Sequence, residues 1–151
     1  MGIATLRRRE GRRTATTTLI EHMDDPATHL AIDHHLCGTP TLIEPGTAEV
    51  HLTTTPDMAV DDRGLVHGGF VFGLADYAAM LAVNDPNVVL GASEVRFTAP
   101  VEVGDELTAM ATVTASDGRR QNVAVTVARD GTDIAHGAFS CFILDHHVLE
   151  R

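Results

Sequence analysis

The stretch Gly64–Asn84, GLVHGGFVFGLADYAAMLAVN, decides how this chain folds. From Phe70 to Val83 every residue other than Asp76 is apolar, glycine, alanine or tyrosine. A helix on a protein surface carries a polar stripe, and this segment has none, so it predicts a helix covered on most sides by the rest of its domain. Asn84-Asp85-Pro86 ends it, because proline cannot continue a helix. A His-Gly-Gly turn opens it, and one carboxylate lies within it. Burying an ionised carboxylate costs several kcal/mol unless it is paired or hydrogen-bonded, and the same loss of water raises its pKa toward the range useful to a general base. Asp76 is therefore the first candidate for chemistry. The alternative for it is a structural acid tied down by backbone donors or by an arginine of a partner chain.

Outward from this helix, the chain after Pro86 reads as strands. Val95 and Phe97 alternate with Glu94 and Arg96, and Pro100 with Gly104-Asp105 marks a bend. Leu107, Ala109, Ala111 and Val113 share one face of the next strand against Thr108, Met110, Thr112 and Thr114. Ser116-Asp117-Gly118 signals a turn; Val123, Val125 and Val127 alternate beyond it, and Asp130-Gly131 is a strong hairpin signal leading to Ile134 through Leu144. Before the helix, Thr41 to Thr54 reads as a hairpin about Pro45-Gly46, followed by a polar linker from Pro56 to Gly64. Thr18 to His29 is read as a short helix, and Cys37-Gly38-Thr39-Pro40 as loop. The sum is an α+β domain in which a curled antiparallel sheet of five or six strands wraps one long helix. Residues 1–40 are assigned to an arm with the short helix, 41–145 to the domain and 146–151 to a tail.

The 151 residues suit a single domain. Its eleven basic residues are all arginine, five of them within the first thirteen positions, so from Thr14 onward six arginines face twenty acids. A body of that charge repels DNA and RNA, and the arginine-rich arm reads as a solvated tail. Strong acidity without lysine also fits a protein adapted to high salt, where counterions screen self-repulsion. No apolar run spans a membrane, and the amino terminus lacks the apolar core of a signal peptide, so the expectation is a soluble, cytoplasmic protein that binds neither nucleic acid nor membrane. Cys37 and Cys141 are expected to be buried, reduced thiols.

Taken together, Gly64-Leu65-Val66-His67-Gly68-Gly69, Leu74-Ala75-Asp76, and Val95-Arg96-Phe97-Thr98-Ala99-Pro100-Val101 with Gly104-Asp105 resemble the hotdog-fold acyl-CoA thioesterases, in particular the phenylacetyl-CoA thioesterase branch. The resemblance runs from about Thr41 to Leu144. It implies the hotdog fold, an acyl-CoA substrate, no cofactor, and a homodimer or dimer of dimers with active sites between subunits. It also implies roles. The backbone N–H of Gly68, with Gly69 beside it, would face the thioester carbonyl at the helix start, where unpaired N–H groups and the helix dipole favour an oxyanion. Asp76 of the neighbouring subunit would serve as general base or as nucleophile. His67 would chiefly fix the turn and cap the helix, with direct catalysis as its other role. Asp61 stands where related enzymes often place an asparagine, and Leu90 and Gly91 where some place a serine or threonine that holds the attacking water. Ser93 is the substitute on offer, although a one-residue offset on a strand reverses the face.

Coenzyme A would bring three phosphates to an acidic chain, and Arg96, Arg119 and Arg120 are the cations expected to receive them, with surface ion pairing as the alternative. Asp33-His34-His35 and Asp145-His146-His147 invite a metal reading, but adjacent histidines on a strand point to opposite faces, so no metal site is assigned. A second family resemblance competes with the enzyme. Ala82-Val83-Asn84-Asp85-Pro86 and Ala92-Ser93-Glu94-Val95-Arg96-Phe97-Thr98 are similar to the ligand domain of the acyl-CoA-sensing repressor of bacterial fatty-acid synthesis, a non-catalytic hotdog.

Overall fold

A computed structural model describes residues 23–151. Its secondary structure runs α1 (His34–Cys37), β1 (Thr39–Glu44), β2 (Thr47–Thr53), a 3-10 turn (Pro56–Met58), α2 (Gly68–Val83), β3 (Val88–Phe97), β4 (Glu106–Asp117), β5 (Arg120–Arg129) and β6 (Thr132–Ile143). The six strands form one antiparallel sheet in the order β1-β2-β4-β5-β6-β3, which leaves β1 and β3 at the edges. Helix α2 lies across the inner face of this sheet, and the fold is the α+β hotdog expected from the helix-then-strands pattern.

Local chemistry accounts for most of the connections. Gly46 (φ 79°) turns β1 into β2, and Asp130 (φ 50°) with Gly131 (φ 78°) makes the left-handed pair that a tight β5–β6 hairpin requires. The expected alternation holds: Ala48, Val50 and Leu52 on β2, Leu107, Ala109 and Ala111 on β4, and Val123, Val125 and Val127 on β5 are all buried under the helix. Helix α2 ends at Asn84, whose left-handed backbone (φ 52°) donates its N–H to the Met80 carbonyl at 2.7 Å.

The amino-terminal reading needs correction. The part of the Thr18–His29 helix that falls among the described residues, from Met23 onward, is not helical, and the remainder lies outside them. Pro26 lacks an N–H and disfavours a helical Asp25, and this strand of chain is held instead by the end of α2. The Asn84 side-chain oxygen accepts from Ala27 N–H at 2.8 Å, and its amide donates to the Asp25 carbonyl at 3.1 Å. The helix falls five residues later, at His34–Cys37, because Asp33 caps it by accepting from the N–H groups of His35 (2.8 Å) and Leu36 (3.3 Å). Thr39 and Pro40, expected in a loop, begin β1; proline is tolerated there because β1 is an edge strand. The Pro56–Gly64 linker is also less polar in function than in composition, since Met58 is buried.

Candidate functional site

Among the described residues no side chain caps the beginning of α2. His67 holds the N-cap position, yet its ring makes no capping hydrogen bond, contrary to the role expected for it, and the first turn carries no acid. The ring instead lies over Gly69, where a Cβ would come within 3.0 Å of it, and meets Phe70 edge-on at 6.1 Å. Among the described residues the N–H groups of Gly68 and Gly69 have no acceptor, and both residues are exposed. A helix start with unpaired N–H groups and no neighbouring carboxylate is a favourable seat for developing negative charge.

Asp76 sits two turns further along. Its Oδ1 is buried without a hydrogen-bond partner among the described residues, and burial pushes its pKa up to about 6. The structural alternative, an acid held by backbone donors, thus finds no donor for that oxygen within the described chain. The two thiols lie near enough to feel this carboxylate. Burial first, and then the charges of Asp33 and Asp76, push the half-buried Cys37 thiol up; burial and Asp76 push buried Cys141 up to about 11. The inward alternation of β6 is the only sequence signal that could have drawn Cys141 to Asp76; Cys37 carries none. The two are not bonded to each other, and Cys37 is only partly buried where a buried thiol was expected.

Ser93 is where geometry overrides strand parity. Counting from Leu90, an offset of three would turn it to the outer face, but the register shifts between Leu90 and Ala92, with Gly91 as the extra residue. The Phe142 ring occupies the space beside Gly91, where a Cβ would approach it to 2.4 Å. Beyond the bulge Ser93 pairs with buried Phe139, so it shares the helix-facing side of the sheet with Phe139 and Cys141. Phe139 in turn packs against Phe72 of α2, ring centres 5.7 Å apart.

The remaining residues are spread around the domain. Asp61 is exposed and holds the loop before the His-Gly-Gly turn, its Oδ1 accepting from Arg63 N–H (3.0 Å) and Leu65 N–H (3.1 Å); with Arg63, Leu65, Pro100 and Glu102 it lines a cleft of about 240 Å³. Arg63, which the sequence reading did not single out, brings a cation to this loop. Arg96 pairs in register with exposed His136 and therefore lies on the outer face, away from Asp76 of its own chain. Arg119 is paired with Asp145, and Arg120 donates to Asn122 Oδ1 (3.0 Å) and Ser140 Oγ (3.2 Å). His34 Nδ1 meets the Gly38 carbonyl at 2.8 Å, and among the described residues no cluster of His, Cys, Asp and Glu is arranged to hold a metal ion. No helix among them is long and apolar enough to cross a membrane.

Comparison with known proteins agrees with this architecture. The family described as the thioesterase superfamily matches residues 63–136, the span from the His-Gly-Gly loop to β6. The structure of an uncharacterized protein from Pyrococcus horikoshii superposes with a TM-score of 0.84 at 52% identity, over 85% of this chain and 98% of that one. A mutant of the phenylacetic acid degradation protein PaaI from Thermus thermophilus superposes with a TM-score of 0.67 at 28% identity, over 72% and 95%. Among curated proteins, methylthioribose-1-phosphate isomerase of Aquifex aeolicus is 46% identical over 122 residues, 80% of this chain but 27% of that protein. Transcription factor FapR of Caldanaerobacter subterraneus is 26% identical over 97 residues, 64% of this chain and 48% of that one. The chain thus spans about a quarter and about half of the curated relatives it matches. With a carboxylate whose Oδ1 is buried on a glycine-opened helix, a six-stranded sheet curled around that helix, and a family match that spans the helix and strands β3 to β5, the chain belongs to the thioesterase superfamily of hotdog-fold proteins, on its PaaI-like side.

Proposed function

We propose that this chain hydrolyses an acyl-CoA thioester to the free acid and coenzyme A. The observation that carries the reading is the Asp76 carboxylate, whose Oδ1 is buried and without a partner on a helix that begins with unengaged N–H groups. In the general-base route Asp76 takes a proton from water as that water attacks the carbonyl carbon. The Gly68 N–H stabilises the oxyanion that forms, and collapse of the intermediate expels the coenzyme A thiolate, which recovers the proton. In the nucleophilic route the carboxylate itself attacks the carbonyl carbon and expels the coenzyme A thiolate; water then cleaves the resulting anhydride, returning the Asp76 carboxylate and the free acid and giving the thiolate its proton. Burial helps both, since a carboxylate with a pKa of about 6 is a better proton acceptor than an exposed one and is still ionised at neutral pH.

The donor and the base belong to two copies of the chain. Asp76 lies eight positions after Gly68, about 12 Å along the helix axis, and reacting atoms held about 3 Å from each group do not bridge that gap. A homodimer supplies Gly68 from one copy and Asp76 from the other. Ser93 is the proposed holder of the attacking water, because the bulge at Gly91 turns it to the helix side. Asp61 acts by shaping the loop that delivers His67 and Gly68. For the coenzyme A phosphates, Arg96 reaches the site only from another copy, and Arg119 and Arg120 must give up their present partners to serve.

The match to FapR favours a second reading, an acyl-CoA-binding module without turnover. One experiment separates the two: purified wild type, Asp76→Ala and Asp76→Asn assayed with a panel of acyl-CoAs and a thiol reagent, with binding followed by calorimetry. Turnover by wild type that both variants lose supports the enzyme. Tight binding with no thiol released sinks it in favour of the module.

A further inference from the structure

Helix α2 contains three glycines, and two are accounted for. Gly69 makes room for the His67 ring, and Gly68 stands at the helix start, where its bare N–H is the proposed oxyanion donor. Gly73 lies inside the helix, where glycine is unfavourable relative to alanine. Its φ is not positive, so the backbone does not require glycine. Apart from Phe72, Leu74 and the backbone of the helix itself, no heavy atom of the described residues lies within 4 Å of the position a Cβ would take, so tertiary packing among them does not require glycine either.

Its neighbours say what the space serves. Asp76 is three residues on and shares its helix face, and side chains on a helix lean toward the amino terminus, so the Asp76 side chain borders the space over Gly73 without filling it. Oδ1 of that carboxyl is the buried oxygen left without a partner among the described residues. Phe72, beside Gly73 and one turn before Asp76, is fixed against Phe139 and supplies an apolar wall. A polar corner at Asp76, a gap at Gly73 and an aromatic wall at the partly exposed Phe72, backed by buried Phe139, match a thioester carbonyl followed by an acyl group.

We infer that Gly73 sets the size of acyl group the site accepts, by keeping open the space beside the Asp76 carboxylate in which the first carbons of the acyl group lie; this rests on the hydrolase reading above. The test compares full-length wild type, Gly73→Ala and Gly73→Val for kcat/KM with acetyl-CoA, hexanoyl-CoA and phenylacetyl-CoA, together with melting temperature and mass in solution. Gly73→Ala is expected to hold kcat/KM for acetyl-CoA within about threefold and to lower it for the two larger substrates by about tenfold, with Gly73→Val lowering those by about a hundredfold. Melting temperature is expected to stay level or rise, because alanine is the better helix former, and the mass to stay unchanged. An equal loss on all three substrates, or an unchanged profile, overturns the inference. So does a lower melting temperature or an altered mass, which identifies Gly73 as a packing contact with residues 1–22 or with another copy. Absence of turnover by wild type on every thioester overturns both this and the hydrolase reading, and is told apart because it is seen before any substitution is made.

Discussion

The two halves of α2 are built to different ends. From Leu74 to Ala82 every residue except Asp76 is buried, and Asn84 fastens that end to the chain at Asp25 and Ala27. From Gly68 to Gly73 only Val71 is buried, three of six residues are glycine, and no side chain caps the helix. The edge strand β3 is similarly uncovered on the helix side, where Ser93 is exposed and Phe97 remains 51% exposed. A helix with no polar stripe has to be covered all round, and the described residues cover the second half far more fully than the first. What completes the first half is the substrate and the neighbouring copy under the proposal above. Chemistry is thereby separated from the packing that sustains the fold, with Asp76 at the boundary.

The strongest way to break this division is a pair of substitutions read by two measurements. Asp76→Asn is expected to lower kcat/KM by about two to four orders of magnitude without lowering the midpoint of urea unfolding. Leu81→Ala, in the buried half, is expected to lose about 2–5 kcal/mol of stability while the folded fraction keeps its turnover. If Asp76→Asn unfolds the protein, or Leu81→Ala abolishes turnover in molecules that remain folded, the two halves are not separate.

Acidity sharpens the boundary residue next. Burial raises the Asp76 pKa to about 6, so the folded chain holds this proton more tightly than the unfolded chain does. The stability that goes with it is present below about pH 4 and is lost as pH rises through about 6. The stability advantage of Asp76→Asn over wild type is therefore expected to grow between pH 4 and pH 7, toward about 3 kcal/mol, in parallel urea titrations. Turnover runs the other way, and wild-type kcat/KM is expected to climb through about pH 6 as the carboxylate ionises. An advantage that stays constant with pH would mean that desolvation does not raise the Asp76 pKa.

Smaller effects probe the fastening of the buried half. Asn84→Ala removes two hydrogen bonds and forces a left-handed backbone on alanine, with an expected loss of about 1–2 kcal/mol by thermal melts. Asn84→Gly restores the backbone freedom but not the bonds, and should fall between alanine and wild type. The smallest change is expected far from both halves. Arg119 and Asp145 are largely exposed, so Arg119→Ala should alter stability by less than about 0.5 kcal/mol. Its effect on the KM for acyl-CoA then reports phosphate binding alone, and an unchanged KM removes Arg119 from the site.

Much of this was legible in the chain itself. The all-round apolar run with its terminating Asn84-Asp85-Pro86, the alternation on β2, β4 and β5, and the Asp130-Gly131 hairpin each depend on local spacing and backbone preference, and each falls where it was expected. The segment before β1 was misread because its conformation is held from a distance, by Asn84, while the short helix depends on a single cap at Asp33. In the site, the isolation of Asp76 within an apolar run is a sequence property, and so is the glycine start of the helix. The face presented by Ser93 was not, because alternation is local whereas the bulge that inverts it is seated by Phe142, fifty-one positions after Gly91. Composition identified Arg96, Arg119 and Arg120 as cations, but register and ion pairing decided where they lie. The sequence by itself determined which helix is buried and which acid it carries, since hydrophobic periodicity is written residue by residue. Only the tertiary structure decided which half of that helix stays uncovered, because coverage depends on where six strands close around it.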